Sequence, residues 1–241
     1  MSSSLVTRSS SLKYWAVVPA AGVGKRMRAD RPKQYLEIDG RSLIEHAISR
    51  LVANPHIEGI VVAISKEDEY WPELDLCLDK PLWVAEGGVE RCHSVLNALQ
   101  ELATHASDDD WVLVHDAARP CVRPDDISNL ISQLADDAVG GLLAVPVRDT
   151  MKRADSKRRV ITTEAREGLW HALTPQMFRF GKLRHALEQA IEDEALVTDE
   201  SSAMELAGHE PVLVEGHADN IKVTRPEDLA LATFYLQQQG S

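Results

Sequence analysis

The chain has 241 residues, of which 44% are hydrophobic and 27% are charged, and its formal net charge at pH 7 is -12. This length and balance are typical of one α/β domain. The acidic balance argues against a nucleic-acid-binding protein, which should carry a broad basic face. No apolar run in the sequence approaches the roughly 18 residues that a membrane helix needs, so we predict no membrane partner.

The cysteines and the N-terminal segment indicate a compartment. Cys77, Cys92 and Cys121 are far apart and have no CxxC spacing, which favours free thiols in a reducing cytoplasm over disulfides or a zinc site. The first residues, MSSSLVTRSSSLK, are rich in serine and lack acids. A short transit peptide has this composition, but the small length favours a disordered tail over residues 1–13, followed by a single domain over residues 14–241.

Apolar, β-rich segments alternate with helical patterns along the chain. The predicted strands are WAVV (15–18), GIVVAIS (59–65), LWVA (82–85), WVLV (111–114), GLLAVPV (141–147), PVLVE (211–215) and IKVT (221–224). Helices are predicted over residues 42–54, 90–103, 180–194 and 199–208, from about Pro124, and near the C terminus, with Ser42–Glu45 and Thr224–Glu227 as capping boxes. This alternation predicts an α/β fold: a Rossmann-like, mainly parallel sheet with helices on both faces.

One segment departs from the alternation. Residues 147–168, VRDTMKRADSKRRVITTEAREG, are highly charged and too poor in apolar residues to pack in a core. The turn-like ADSK in the middle predicts a protruding β-hairpin arm. Two interpretations stay open from the residues alone: a solvated surface hairpin, or an arm that clasps a second subunit.

The unusual loops follow predicted strands, and ligands of open parallel sheets bind beyond the carboxyl ends of the strands. The first loop begins PAAGVGKR after WAVV and matches neither the Walker pattern nor GxGxxG. Its small residues allow backbone N–H groups to approach a ligand, while Arg26 and Lys33 can neutralise charge on a phosphate. The alternative is a solvated basic helix face.

Two further loops carry candidate ligand groups. In EGGVERCHS, Gly88, Arg91 and Ser94 can line a base or ribose, or form an ordinary strand–helix turn with a cap. In HDAARP, Asp116 suits Mg²⁺ or ribose hydroxyls, or acts as a structural cap. His115 is better explained as a packed, hydrogen-bonded histidine than as a catalytic base.

These groups indicate chemistry at phosphorus. The sequence shows no Ser–His–Asp or Cys–His arrangement, and none of the nine histidines has metal-ligand spacing. Cations around a glycine turn, with one carboxylate, fit transfer to a phosphorus atom with Mg²⁺, which depends on positioning and charge stabilisation. If the acceptor is itself a phosphate, no base is needed, and Arg166 and Lys222 become candidates to hold it. Both are otherwise surface cations.

Several motifs together resemble one family. PAAGVGKRM with PKQY, GG-x-x-R-x-x-S-V, VHDAARP, PVRDTMKR, GLWHALTPQ, TDESSA and DNIKVTRPEDL occur in order from about residue 15 to 236. They resemble the 2-C-methyl-D-erythritol 4-phosphate cytidylyltransferases. The resemblance implies transfer of the cytidylyl group of CTP to methylerythritol phosphate with Mg²⁺ and release of pyrophosphate, in non-mevalonate isoprenoid biosynthesis.

The resemblance also implies roles for individual residues. Arg26 and Lys33 stabilise the transition state. The cytidine part is held by Pro19, Ala20, Ala21, Gly22, Gly88, Ser94, Asp116 and Ala117. Methylerythritol phosphate is positioned by Arg166, Thr198 and Lys222, and Thr150 and Arg119 complete the acceptor site of a partner subunit. The magnesium ion lies mainly on triphosphate oxygens, with Asp116 as a candidate ligand, and the hairpin arms interlock two subunits in a homodimer.

The sequence also departs from the family, and two alternative functions remain. Val89 and His93 occupy positions where some members carry acidic residues, in the loop expected near the base. A cytidylyltransferase for another alditol phosphate, such as ribitol 5-phosphate, belongs to the same reaction class. A nucleotide-binding regulatory module without turnover is the alternative from another class, and the presence of both Arg26 and Lys33 argues against it.

Overall fold

The structure is a computed structural model, and it describes residues 12–22 and 31–240. Most of the predicted tail therefore lies outside the described residues, as does Arg26. Of the predicted tail, Lys13 is attached to the domain, because its backbone N–H donates to Asp110 Oδ1 at 3.0 Å and its carbonyl accepts from Trp111 N at 2.8 Å.

A seven-stranded sheet forms the centre of the domain. Its order is β11 (Val212–Glu215), β7 (Gly140–Pro146), β10 (Trp170–Arg179), β6 (Trp111–Val114), β1 (Tyr14–Pro19), β4 (Ile57–Ile64) and β5 (Leu82–Glu86). All neighbouring strands pair in parallel except β10, which is antiparallel to both β6 and β7. The predicted mainly parallel sheet is confirmed.

Helices cover both faces of this sheet, as predicted. On one face, α1 (Leu43–Val52) and α3 (Pro124–Leu134) pack with Ala16 and Val18. On the other face, α2 (Arg91–Leu102), α4 (Phe180–Glu192) and α5 (Glu200–Leu206) pack with Trp15 and Val17. Successive side chains of β1 therefore pack on opposite faces of the sheet. Both faces are buried, which explains why WAVV is continuously apolar. None of the helices in the described ranges is long and apolar enough to span a lipid bilayer.

The remaining elements are short or peripheral. β2 (Glu37–Ile38) and β3 (Arg41–Ser42) form a two-stranded ribbon before α1, and α6 (Pro226–Gln238) closes the chain. The predicted capping box of α1 is confirmed: Ser42 Oγ accepts from Glu45 N, and Glu45 Oε2 accepts from Ser42 N.

The second predicted capping box is wrong. Asp228, not Glu227, accepts hydrogen bonds at 2.9 Å from Thr224 N and from Arg225 N at the start of α6. Glu227 lies one residue earlier in the first turn and approaches Arg225 at the surface. The pairing is therefore shifted by one residue from the predicted spacing.

Two strand predictions also require correction. IKVT does not form a strand; Val223 N donates to Ala118 O at 2.8 Å and attaches this segment to the loop after β6. The strand β10 was not predicted, because its segment WHALTPQMFR contains polar residues and proline. These polar groups are buried with hydrogen-bond partners, so hydrophobic patterning did not reveal a central strand.

The predicted hairpin is present. β8 (Met151–Ala154) and β9 (Val160–Glu164) pair antiparallel and form their own two-stranded sheet. The turn begins at Asp155, whose Oδ1 accepts from Lys157 N and Arg159 N at 2.8 Å each. Its apolar residues Val160 and Ile161 are 62% and 64% exposed. The hairpin therefore offers apolar surface that its own chain leaves in solvent.

Candidate active site

A cavity opens at the carboxyl edge of the parallel strands, where the loops after β1, β5 and β6 meet. Its lining includes the loop residues predicted from the sequence and two lysines: Pro19, Ala20, Ala21, Gly22, Lys33, Gln34, Gly88, Val89, Glu90, Arg91, Ser94, Asp116, Ala117, Ala118 and Lys222. All eight residues predicted to hold the nucleotide thus line one cavity. The convergence follows from the parallel order β6–β1–β4–β5, which brings the ends of these strands to one edge.

The first loop is held in place by backbone and side-chain hydrogen bonds. Ala20 N donates to Ala63 O at 2.7 Å, which continues the pairing with β4, and Gln34 Nε2 donates to Ala20 O at 2.6 Å. Gln34 is buried and lies in a single 3-10 turn, Lys33–Tyr35. The same turn carries Lys33 to the cavity wall. The turn therefore fixes the loop backbone and the predicted catalytic cation together.

The second loop requires glycine at two positions because other chain segments approach closely. A Cβ on Gly87 would lie 2.1 Å from Ala21 Cβ, and one on Gly88 would lie 2.2 Å from His93 Cβ. Gly88 N donates to Ser94 Oγ at 3.0 Å, and Ser94 Oγ donates to Glu90 O at 3.2 Å. Ser94 therefore shapes the loop from the first turn of α2 but does not cap this helix, because the N-cap residue is Glu90 and no side chain caps it.

Asp116 lies at the centre of a cluster of cations. Its Oδ1 is 3.0 Å from Arg91 Nε, while its Oδ2 is 2.8 Å from Lys222 Nζ and 3.5 Å from Arg119 Nε. Burial alone would raise the pKa of this carboxyl, but the charges of Arg91, Lys222 and Arg119 lower it well below its ordinary value. Asp116 is thus a permanent anion.

Arg91 connects this cluster to the first turn of α5. Its Nη1 and Nη2 atoms lie 2.6 and 3.0 Å from the two carboxylate oxygens of Glu200, which is 1% exposed. Burial disfavours the charged guanidinium, but Glu200 and Asp116 raise the pKa of Arg91 above its ordinary value. The guanidinium that the sequence placed beside a base or ribose is therefore engaged by two carboxylates.

His115 is fixed in one neutral form beneath Asp116. Its Nε2 lies 3.0 Å from Arg119 O, a group that only accepts, so Nε2 carries the proton and Nδ1 accepts from Thr174 Oγ1 at 2.9 Å. Thr174 Oγ1 in turn accepts from Asp116 N at 3.1 Å. Burial lowers the pKa of His115 to about 4. His115 is a packing and hydrogen-bonding residue, as the sequence analysis favoured.

Comparison with known proteins identifies this arrangement. The family model for 2-C-methyl-D-erythritol 4-phosphate cytidylyltransferase matches residues 14–238. A protein of that name from Pseudomonas fluorescens is 57% identical over 217 residues, which is 90% of this chain and 92% of the relative. The chain belongs to the 2-C-methyl-D-erythritol 4-phosphate cytidylyltransferase family.

Solved structures of the cytidylyltransferase family share the fold. The Francisella tularensis enzyme matches with a TM-score of 0.80 and 37% identity, covering 92% of this chain and 99% of its own. The Thermus thermophilus structure matches with a TM-score of 0.76 and 28% identity, covering 94% and 100% of the two chains. The fold and the family predicted from the sequence are both confirmed.

The residues predicted to position the acceptor of a methylerythritol phosphate cytidylyltransferase do not all meet in one place. Lys222 lines the cavity beside Asp116, whereas the cavity lining does not include Thr150, Arg166 or Thr198. Thr150 and Arg166 belong to the hairpin region and are exposed, and Arg166 Nη1 donates to Arg148 O. Thr198 is exposed just before α5, where its N–H donates to Ser202 Oγ at 3.0 Å.

Arg119, predicted to complete the acceptor site of a partner subunit, packs beside Asp116. Its side chain is 11% exposed, lies against Asp116 and donates from Nη1 to Asn220 O at 2.7 Å. These contacts fix its position within its own subunit, and its role toward a partner stays a prediction.

The residues of the cavity do not form a protein-held magnesium site at Asp116. Both oxygens of this carboxylate already face cationic nitrogens, and three positive charges within 3.5 Å oppose a divalent cation there. The candidate role of Asp116 as a magnesium ligand therefore does not fit this geometry. Asp116 instead orders the cations that surround it.

Sequence reasoning missed several residues of the site. Glu200 and Thr174 carry no local signal, because their partners Arg91 and His115 are distant in sequence. Asn220 is buried and donates from Nδ2 to Thr174 O at 2.7 Å, which joins the segment before Lys222 to β10. Gln34 lies within the PKQY motif, and its position next to Lys33 was the one sequence feature that could have indicated a role in the site.

Proposed function

We propose that the chain transfers the cytidylyl group of CTP to 2-C-methyl-D-erythritol 4-phosphate, giving CDP-methylerythritol and pyrophosphate. The observation that supports this function best is the single cavity that joins the glycine-containing loop, the Gly88 loop, Asp116 and two lysines at the carboxyl edge of the sheet. Family membership supplies the two substrates, and the net charge of -12 supports the absence of a nucleic-acid partner.

The residues of this chain act by holding two anions together. A phosphate oxygen of the acceptor, already negative at pH 7, forms a bond to the α-phosphorus of CTP, and the bond from that phosphorus to the pyrophosphate oxygen breaks. No protein base is needed. Lys33 lines the cavity where it stabilises the additional negative charge of the transition state, and Arg26, from the same motif, shares that role.

The two ends of the substrates are held by different groups. The backbone of Ala20, Ala21 and Gly22, with Gly88 and Ala117, forms the wall for the cytidine part. The Lys222 side chain is 36% exposed beside the buried Asp116, so its ammonium group can contact the acceptor phosphate while the carboxylate fixes its position. We place Mg²⁺ on the triphosphate oxygens, where it neutralises charge when bound.

The proposal includes a homodimer. The exposed apolar residues of the hairpin support an arm that packs on a second subunit. Thr150 and Arg119 then complete the acceptor site of the partner subunit, and Arg166 and Thr198 help to position methylerythritol phosphate. A cytoplasmic location is supported by three cysteines that are all free thiols.

Pyrophosphate release tests the function directly. The protein is supplied with CTP and Mg²⁺, and methylerythritol 4-phosphate and ribitol 5-phosphate are offered in separate reactions. We expect release with methylerythritol 4-phosphate alone. Release with ribitol 5-phosphate would show that the enzyme uses a different acceptor in the same class of reaction. CTP binding without pyrophosphate release for either acceptor would support a regulatory module.

A further inference from the structure

Three metal-binding side chains meet at the start of α2, beside the cavity. They belong to Glu90, Cys92 and His93, and one ligand atom of each lies within 4.8 Å of the other two. Cys92 Sγ is 3.6 Å from His93 Nδ1 and 3.9 Å from Glu90 Oε2. Cysteine and histidine spacing predicted no metal ligand here, and neither the thiol nor the imidazole takes part in the site described above. We propose that these three side chains form a binding site for a divalent transition metal such as Zn²⁺.

The distances fit tetrahedral coordination. With Zn–S of about 2.3 Å and Zn–N of about 2.0–2.1 Å, a tetrahedral angle separates sulfur and nitrogen by about 3.6 Å. The Cys92–His93 separation has this value, and the Cys92–Glu90 separation is only slightly longer. Neighbouring helical residues point about 100° apart, so their donor atoms do not meet unless the rotamers turn toward each other. The donor atoms of Cys92 and His93 therefore already have a tetrahedral separation, and the third ligand belongs to the exposed side chain of Glu90.

The charges of the site also suit a dication. Binding converts the Cys92 thiol to a thiolate and releases its proton to solvent, so Glu90 and Cys92 together supply two negative charges to the metal. Arg91 lies between them in sequence, but its guanidinium faces Asp116 and Glu200, whose two carboxylates neutralise it. A sulfur, a nitrogen and one oxygen favour zinc over magnesium, which prefers oxygen ligands alone.

The surrounding structure positions Cys92 and His93 and leaves the site accessible to a metal ion at Glu90. Cys92 is 6% exposed and packs in the core beneath α2, and His93 Cβ is fixed against Gly88. Glu90 is exposed and lines the cavity. Three protein ligands leave a fourth tetrahedral position for water, as in an open zinc site. A metal here would restrain the loop that forms one wall of the cavity.

Cobalt absorption tests the site without any use of enzymatic activity. The untagged, metal-free protein is titrated with Co²⁺, whose thiolate charge-transfer band in the near ultraviolet reports a cysteine ligand, and Zn²⁺ is then added in competition. We expect a band that saturates at one Co²⁺ per chain, disappears on addition of Zn²⁺ and persists in excess Mg²⁺.

Variants identify the ligands. Cys92→Ala should abolish the band, and His93→Gln and Glu90→Gln should weaken Co²⁺ binding by at least about tenfold, because even outer-shell partners of a metal contribute that much. Cys77→Ser, at the exposed cysteine, is the matched control and should leave the titration unchanged. Circular dichroism checks that each variant is folded. Absence of the band in the wild-type protein, its survival in folded Cys92→Ala or its loss in Cys77→Ser would overturn the proposal.

Discussion

Arg91 and Glu200 lie 109 residues apart in the chain and form a two-point ion pair, with nitrogen–oxygen distances of 2.6 and 3.0 Å. This pair connects the first turn of α2 to the first turn of α5. The same guanidinium contacts Asp116, so the carboxylate at the end of β6 and the segment that carries Thr198 are fixed relative to each other. The geometry of the cavity therefore depends on a contact outside its nucleotide-binding loops.

Removal of Glu200 should destabilise the fold measurably. Glu200→Ala leaves Arg91 with one of its two anions in a largely buried site, and loss of one partner of a buried pair costs roughly 3–5 kcal/mol. We expect about 3 kcal/mol here, because Arg91 retains Asp116 and is 26% exposed. Urea unfolding measures the change, and Glu192→Ala on the exposed end of α4 is the control. Equal midpoints for the two variants would contradict a structural role for the pair.

Lys33 should affect turnover rather than folding. Lys33→Ala should lower kcat by roughly 10²–10³, the usual effect of the removal of one preorganised charge stabiliser from a transition state. Steady-state pyrophosphate release provides the measurement, with Lys182→Ala, at an exposed lysine on α4, as the matched control. Near-normal turnover in the Lys33 variant would remove this residue from the mechanism.

Arg166 should affect one substrate and not the other. If Arg166 contacts the acceptor phosphate from the hairpin, Arg166→Ala should raise KM for the acceptor by about 10- to 100-fold, the value of one hydrogen bond to a charged group. KM for CTP should change little. Comparable increases in both constants would instead assign Arg166 a role in the hairpin itself, where it already contacts Arg148 O.

The hairpin should control the oligomeric state. Val160 and Ile161 are both more than 60% exposed, and charged residues there should prevent apolar packing on a second subunit. We expect wild-type protein to be a dimer at micromolar concentration and the Val160→Asp/Ile161→Asp variant to be a monomer by light scattering. Leu196→Asp, at an apolar residue outside the hairpin that is 84% exposed, is the control. A monomeric wild-type protein would exclude the dimer.

Stability should fall as the pH decreases from about 6.5 to about 4. In this range the unfolded chain protonates His115, whose ordinary pKa is about 6.5, while the folded chain keeps it neutral because burial lowers its pKa to about 4. The unfolded state binds more protons there, so the free energy of unfolding increases with pH, and the gap between the two pKa values corresponds to about 3 kcal/mol.

Urea unfolding across this pH range measures the effect. His115→Gln should reduce the slope of unfolding free energy against pH by up to about one proton. His185→Gln, at an exposed histidine on α4, is the matched control. His46, whose pKa burial also lowers, accounts for part of the remaining slope. An unchanged slope in His115→Gln would show that His115 is not held neutral.

The sequence predicted the parts of the site that lie on consecutive strand–loop units. Gly22, Gly88 and Asp116 each follow an apolar strand. Parallel strands bring their carboxyl ends to one edge of the sheet, so the order of strands and loops along the chain predicts that these three residues lie close together. Lys222 reaches the same cavity without a strand, because Val223 attaches to the loop after β6. Lys222 was a candidate from its charge and from a predicted strand at residues 221–224, and that strand does not form.

The residues that were not predicted from the sequence are polar residues buried in hydrogen-bonded pairs. Glu200 appears in the helix-start pattern TDESSA, where an acid is ordinary and nothing indicates that a distant arginine will bury it. β10 was missed for a similar reason: Thr174 and Gln176 are buried but satisfied by His115 and by Asp199 and Ser201. Hydrophobic periodicity reveals positions where apolar side chains are buried. These residues are polar and are buried with hydrogen-bond partners, so periodicity does not reveal them.

The antiparallel strand β10 also sets the order in which the protein can be completed during synthesis. β10 lies between β6 and β7, so β6, whose residues are all buried in the finished domain, lacks its second neighbour until residues 170–179 have been made. The roughly 55 residues between these strands take about 3–11 s to translate at about 5–20 residues per second. For that interval WVLV has an unpaired edge, and an unpaired apolar strand edge is a template for pairing with other chains.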